Sequence, residues 1–270
     1  MWNGESLVEL TQGEHEYSWI VASHVIEHLP NPIAFLRDCE QLLCPRGVLS
    51  LVIPDKRFCF DHFRPLSTTG DMLNALYRGV RRPEPGSVFD EFVDASAIDG
   101  RIGWAAGEDG APELLHDFAG AAERWRMASN SGQYFDVHVS RFVPESFRLI
   151  MQDLYQLGLT KLTVQREYYT SGPEFFVSLC SSELQHAVGR SRLLQDVHDA
   201  LSTAQLTETG IALTRENESL RAERDRLRTE LSGILRSRTW RAFAPWRSIR
   251  RRVAAAQSRH PPVHRLGERQ

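Results

Sequence analysis

The run Tyr17-Ser-Trp-Ile-Val-Ala22 is apolar and strand-like, and it turns abruptly polar at Ser23, His24, Glu27 and His28. Asn31 to Leu43 then sets Ile33, Leu36, Leu42 and Leu43 among charged residues at the spacing of an amphipathic helix, which Pro45-Arg-Gly47 stops. Val48 to Ile53 predicts a second strand, and it runs into Pro54-Asp-Lys-Arg57. Strand, helix, strand with polar strand ends is the unit of an open α/β sheet. In such a sheet the carboxyl ends of the strands form the ligand crevice, so Ser23, His24, Glu27 and His28 are where a small molecule would be met.

Residues 61 to about 140 lose this order. They are rich in Gly, Pro and Asp, with helical patches near Gly70 to Val80 and Pro112 to Met127. A connection of that length inside a compact domain is usually a lid or a binding insertion. The pattern resumes at Pro144 to Leu157, where Phe147, Ile150, Met151 and Leu154 share one helical face behind an N-terminal proline. Gly158 ends that helix. Lys161 to Tyr169 alternates as a strand, Glu174 to Cys180 supplies another, and Ser171-Gly-Pro173 between them predicts an antiparallel hairpin.

Past Ser181 the chain becomes a long polar helix without proline. Leu206, Leu213, Leu220, Leu227 and Ile234 recur every seven residues, the seam of a coiled coil, while Gly210 and Arg224 weaken it and Asn217 can fix its register. The expected division is therefore a domain over 1–181, a helical arm over 182–235 that joins two copies through 206–234, and a tail over 236–270.

Composition adds three constraints. With 270 residues, 41% of them hydrophobic and 25% charged, the chain can hold one globular domain and an appendage. Cys39, Cys44, Cys59 and Cys180 have no Cys-x-x-Cys spacing and follow no signal peptide, so they read as reduced thiols of a cytoplasmic protein. No apolar run reaches the ~18 residues of a membrane span, which leaves only peripheral contact with a bilayer. The net charge of −3 hides an asymmetry, because the tail carries ten arginines against the single acid Glu268.

The segment Ala22-Ser-His-Val-Ile-Glu-His-Leu-Pro-Asn-Pro32, the helix ending Leu42-Leu-Cys-Pro-Arg-Gly47 and the strand Val48 to Pro54 resemble the second half of a class I S-adenosylmethionine-dependent methyltransferase, closest to its type 11 branch. Asp55-Lys-Arg-Phe-Cys-Phe-Asp-His-Phe-Arg64 is similar to a subgroup found beside bacterial surface-polysaccharide genes. The resemblance spans roughly residues 3 to 181 and implies a Rossmann-like sheet. It also implies S-adenosylmethionine as cofactor, met at Ser23, His24 and Val25, and a small-molecule or saccharide acceptor. The family's glycine-rich turn and ribose-binding acid have no counterpart in Met1 to Glu16, which hold no Gly-x-Gly, so the expectation is an N-terminally truncated domain that binds the cofactor poorly by itself.

Candidate chemistry follows from these placements. Glu27 and His28, one turn beyond the strand end, are expected to orient the loop. In Asp55 to Arg64 the interleaved Phe58, Phe60 and Phe63 should anchor the loop and turn its charges outward. Asp55, Lys56, Arg57, His62 and Arg64 then form the acceptor site, suited to an anionic sugar or phosphate. Asp136-Val-His-Val-Ser-Arg141 resembles an Asp-x-His segment of the same subgroup. It makes His138 the candidate general base, since a hydroxyl acceptor must lose a proton near neutral pH. A metal held by His28, His62 and His138 with Asp61 is the alternative, disfavoured because no His-x-x-x-His pair is present. No Gly-x-Ser-x-Gly turn supports nucleophilic catalysis.

The tail Ser237 to Arg252 resembles a closing segment of bacterial glycosyltransferases and their companions. Trp240, Phe243, Trp246, Ile249 and Val253 fall at steps of three and four between arginines, so 237–253 predicts a helix lying in the interface of an anionic membrane. Nucleic acid is the weaker use of the same charge, because nothing else suggests such a fold. The opposing class of function is a non-catalytic module, in which the domain is scaffold and the arm and tail recruit a membrane-associated glycan assembly.

Overall fold

The computed structural model describes residues 5–203 except 12, 14, 15, 109, 185 and 186, together with 219, 220, 223, 224 and 226–229. In chain order the elements are α1 (Leu7–Thr11), β1 (Tyr17–Ser23), α2 (Pro32–Leu42), β2 (Leu43–Pro54), α3 (Thr69–Arg78), α4 (Pro85–Asp94), β3 (Ser96–Ala97), β4 (Glu113–Leu114), α5 (Phe118–Ser131), α6 (Pro144–Gln156), β5 (Leu162–Ser171) and β6 (Glu174–Ser181).

The main sheet runs β1-β2-β6-β5, with β1 parallel to β2 and the other pairs antiparallel. The crossover that makes β1 and β2 parallel is α2, as the strand-helix-strand pattern requires. Asn31 caps α2 by accepting from the Ala34 amide at 3.2 Å, and Pro32 takes the first helical position, where no N–H is needed. The helix stops at Leu42, but Pro45-Arg-Gly47 belongs to β2 rather than to a free turn. Tyr17 pairs with Leu43 and Trp19 with Val48, so Cys44 to Gly47 form a bulge, with Arg46 at φ +69°.

Strand period and helix period meet in one core. Leu49, Leu51 and Ile53 of β2 and Phe175, Val177 and Leu179 of β6 point to the face covered by Ile33, Leu36 and Cys39 of α2 and Phe147, Ile150, Met151 and Leu154 of α6. On β1 the alternate residues Trp19 and Val21 are exposed.

The 61–140 segment is more ordered than its composition suggests. Gly70 to Val80 is realised as α3 and the second patch as α5, shifted toward the C-terminus, while α4 was not expected. Prolines and a glycine surround its start, yet Pro85 sits at the first helical position, where it is tolerated. Val88 of α4, Ala128 of α5 and Val137 form a small core of their own.

β6 ends at Ser181, where the domain was expected to end, but the chain just beyond it packs on the domain. Residues 190–203 are helical, Leu193 is buried, Gln152 bonds the Val188 backbone in both directions (2.7 and 3.0 Å), and Arg190 pairs with Asp153 at 3.1 Å. Leu220 and Leu227 lie on helical turns and are each 56% exposed. Leu206, Gly210, Leu213, Asn217, Ile234 and the whole 236–270 tail lie outside the described residues. Among the described residues no helix is long and apolar enough to cross a membrane.

Candidate functional site

The carboxyl end of β1 delivers Ser23, His24 and Val25. The His24 amide closes the ladder onto the Val52 carbonyl at 3.1 Å, and His24 then adopts a left-handed backbone at φ +52°, unusual for a residue with a side chain. That turn ends the strand and sends the chain into a 3-10 turn over Ile26–His28. Ser23 and His24 are exposed, whereas Val25 packs against the core. His24 Nε2 meets Glu174 Oε1 at 2.7 Å, and its Nδ1 lies 3.4 Å from Glu27 Oε1. Glu174 reaches it because β6 pairs Glu174 with Pro54, at the same edge of the sheet. The sequence offered no signal for this partner, 150 residues away.

The carboxyl end of β2 is built otherwise than expected. Asp55 is fully buried; it accepts from Arg57 Nε at 2.9 Å and Nη2 at 2.5 Å, from the Arg57 amide at 3.1 Å and from Thr170 Oγ1 at 2.7 Å. Lys56 is buried too and donates to the His62 carbonyl at 2.7 Å; burial lowers its pKa below the ordinary lysine range. His62 is half-buried, its Nδ1 2.9 Å from the Arg57 carbonyl. Arg64 is 1% exposed. The expected arrangement is thus inverted: Asp55, Lys56, Arg57 and Arg64 are folded inward onto partners, while Phe63, expected as an anchor, is 51% exposed. Charges can occupy the interior here because each meets an opposite charge or a carbonyl. They shape the loop rather than present an anion-binding surface.

Arg64 and the neighbouring Asp61 meet at His138. Asp61 accepts from Arg64 Nη1 at 2.5 Å and faces His138 Nδ1 at 2.5 Å. Arg64 Nη2 donates to the His138 carbonyl at 2.9 Å, and Glu91 of α4 accepts the His138 amide at 2.5 Å. On the other side of the ring lie Glu27 and His28. The His28 and His138 rings meet edge to face at 4.6 Å, and the Glu27 carbonyl accepts from the amides of Val139 at 2.7 Å and Ser140 at 2.9 Å. These bonds fix the 3-10 turn after β1 against the segment before α6.

The electrostatics follow from this packing. Burial works against a charged His138, but the hydrogen bond and charge of Asp61, with Glu27 and Glu91 beside it, outweigh that and hold the imidazole above its ordinary range. Burial would raise Asp61, yet His138 and Arg64 pull it below the usual carboxylate range. Burial lifts Glu27 and Glu91 above that range, and burial together with the charge of His138 depresses His28. A general base must be unprotonated and must touch the acceptor. His138 is 5% exposed and held toward its protonated form, so the geometry makes it an internal ion partner. Glu91 and Glu174, which complete these clusters, drew no notice in the sequence because neither stands near its partners along the chain.

Next to the cluster a polar cavity of about 190 Å³ is lined by Pro30, Ser67, Asn74, Arg78, Arg82 and Arg141, among others. The residues that could hold S-adenosylmethionine are the exposed Ser23 and His24 at the end of β1, whose outer edge pairs with no other described strand.

Known proteins bear on this geometry in one way. No curated protein and no solved structure matches the chain. A family model described as a methyltransferase domain does match, over residues 4–154, which takes in β1, α2, β2, the inserted helices and most of α6. That is more than half of the chain, and with the mixed sheet in agreement, the chain belongs to this family of S-adenosylmethionine-dependent methyltransferases.

Proposed function

We propose that the domain methylates a small-molecule or saccharide acceptor at the carboxyl ends of β1 and β2, as a step in building a bacterial cell-surface polysaccharide on the cytoplasmic side. The observation that carries the site is His24, exposed at the end of β1, left-handed in its backbone and gripped by Glu174 at 2.7 Å. S-adenosylmethionine supplies the methyl group when bound. Ser23, His24 and Val25 would line its near wall, and the polar cavity beside the cluster suits a hydroxylated acceptor. The chain's own contribution is orientation: Glu174 fixes the His24 ring, and the buried Asp61–His138–Arg64 cluster fixes the loop that faces it.

Titration calorimetry with S-adenosylmethionine, followed by methyl transfer to nucleotide sugars, tests this reading. Where transfer is observed, Ser23→Leu or His24→Leu should abolish it with an unchanged circular dichroism spectrum. Wild-type turnover in both would remove the strand end from the site.

A non-catalytic recruiting module is the second reading, favoured by Leu220 and Leu227, one heptad apart and both exposed on helical turns. In it the 206–234 seam pairs two copies, and 237–253 rests on an anionic membrane. A folded chain that binds no cofactor, sediments as a dimer and pellets with anionic but not neutral vesicles would decide for the module. Trp240→Ala with Trp246→Ala should then release it from vesicles with every arginine kept.

A further inference from the structure

Glu27 poses a problem that the methyltransferase reading does not absorb. Its side chain is 1% exposed, and neither carboxylate oxygen has a hydrogen-bond partner. A buried carboxylate in that state is costly unless a cation meets it. Besides the exposed His24, whose Nδ1 is 3.4 Å away, two histidines arranged alike stand around it. His28 Nδ1 lies 3.0 Å from Asp136 Oδ1 and His138 Nδ1 lies 2.5 Å from Asp61 Oδ2, so each ring has a carboxylate on its Nδ1 side. His28 Nε2 lies 3.9 Å from Glu27 Oε1. One donor atom from each of Glu27, His28 and His138 falls within 4.8 Å of the others.

We propose that Glu27, His28 and His138 form a binding site for a divalent transition-metal ion of the zinc class. Two imidazoles and a carboxylate are a common ligand set for zinc and for other first-row ions that keep an open position. A carboxylate on the far nitrogen is what fixes a metal-binding histidine in orientation and tautomer, and here Asp136 and Asp61 stand in those places; the ion would displace to solvent the proton that His138 otherwise carries on its near nitrogen. Bonds of about 2.0 to 2.1 Å put the donors of a tetrahedral ion roughly 3.4 Å apart, so the three groups need only close by side-chain adjustment. Entry is open on one side, because the His28 side chain is 28% exposed. A second grouping, Asp61, Glu91 and His138, is spent otherwise: Asp61 holds Arg64 and His138, and Glu91 holds the His138 amide. The bound ion would tie the 3-10 turn after β1 to the segment entering α6, and it stands whether or not the strand end performs methyl transfer.

The test uses the full-length, tag-free chain stripped with a chelator. Zn²⁺ is titrated by calorimetry, and Co²⁺ is added while its visible d–d absorption is followed. One equivalent should bind, with a four- or five-coordinate cobalt spectrum. His28→Ala and Glu27→Gln should each weaken binding by about 100-fold, and Asp61→Asn, which acts on the ion through His138 without ligating it, by about 10- to 100-fold. No binding would overturn the proposal, leaving the neighbouring histidines to offset Glu27. Binding unchanged in His28→Ala would overturn it equally, by placing the metal elsewhere in the chain. If Glu27→Gln does not fold, His28→Ala decides the matter, since that side chain borders solvent.

Discussion

Replacing Asp61 by asparagine keeps the shape of the side chain and removes its charge from the centre of the cluster. Asp61 and Arg64 are both almost fully buried, and Asp61 makes two charge-assisted contacts at 2.5 Å, to Arg64 and to His138. Such bonds are each worth about 1.5–3 kcal/mol, and breaking a buried pair from one side typically costs about 3–5 kcal/mol. Arg64 keeps the His138 carbonyl at 2.9 Å and Glu91 at 3.6 Å, so the lower end, about 3 kcal/mol, is expected. With a urea m-value of about 2 kcal/mol/M, the unfolding midpoint should fall by roughly 1.5 M at constant slope. The loss should depend on pH in a definite sense. His138, raised in the folded state, contributes fully below the ordinary histidine value of about 6.5, and its contribution fades as pH rises through its higher folded value. Asp61, lowered in the folded state, contributes above about 3.9 and loses its part as pH falls through its lower folded value. The gap between wild type and Asp61→Asn, measured in chelator, should therefore be widest between about pH 4 and 6.5. A gap under about 0.5 kcal/mol, or one that widens above neutrality, would refute this account. The double variant Asp61→Leu with Arg64→Met should recover part of the loss, since no arginine is then left unpaired.

Gly47→Ala should lower stability by about 1–3 kcal/mol in the same assay, because an added Cβ would stand 2.9 Å from the carbonyl oxygens of Cys44 and Tyr17, which cannot yield without opening the bulge. Leu51→Ala, at a position 2% exposed in the centre of β2, should cost about 2–5 kcal/mol. Thr68→Ala removes the acceptor of the Asp71 amide (3.2 Å) and half of the reciprocal cap on α3, and should cost about 1 kcal/mol, read as a matching fall in the unfolding midpoint. His138→Ala should lower stability before it lowers turnover; unchanged stability with reduced turnover would restore it as a base.

The parts of this protein visible in the sequence are those in which a short stretch carries its own instruction. Period two along Val48 to Ile53, period 3.6 along α2 and α6, Asn31 before Pro32, and Ser171-Gly-Pro173 between two alternating runs each fix a local backbone whatever surrounds it. They gave the parallel pair, the antiparallel hairpin and the strand end that carries Ser23 and His24. Where local composition and local geometry disagree, as at Glu84-Pro85-Gly86, the sequence suggested a loop and α4 went unseen. The direction of the charges in Asp55 to Arg64 was a different matter. Alternating phenylalanines and charges look the same whether the rings or the ions face inward, and the choice rests on partners far along the chain: Thr170 for Asp55, His138 for Asp61, and the His138 carbonyl for Arg64. A buried charge is tolerable only when its counter-charge is already in place. Pairings across 74, 77 or 115 residues exist only once the sheet has formed and the insertion has folded back, so the tertiary structure alone decided which ionic groups became the interior of the site and which, like His24, were left at its surface.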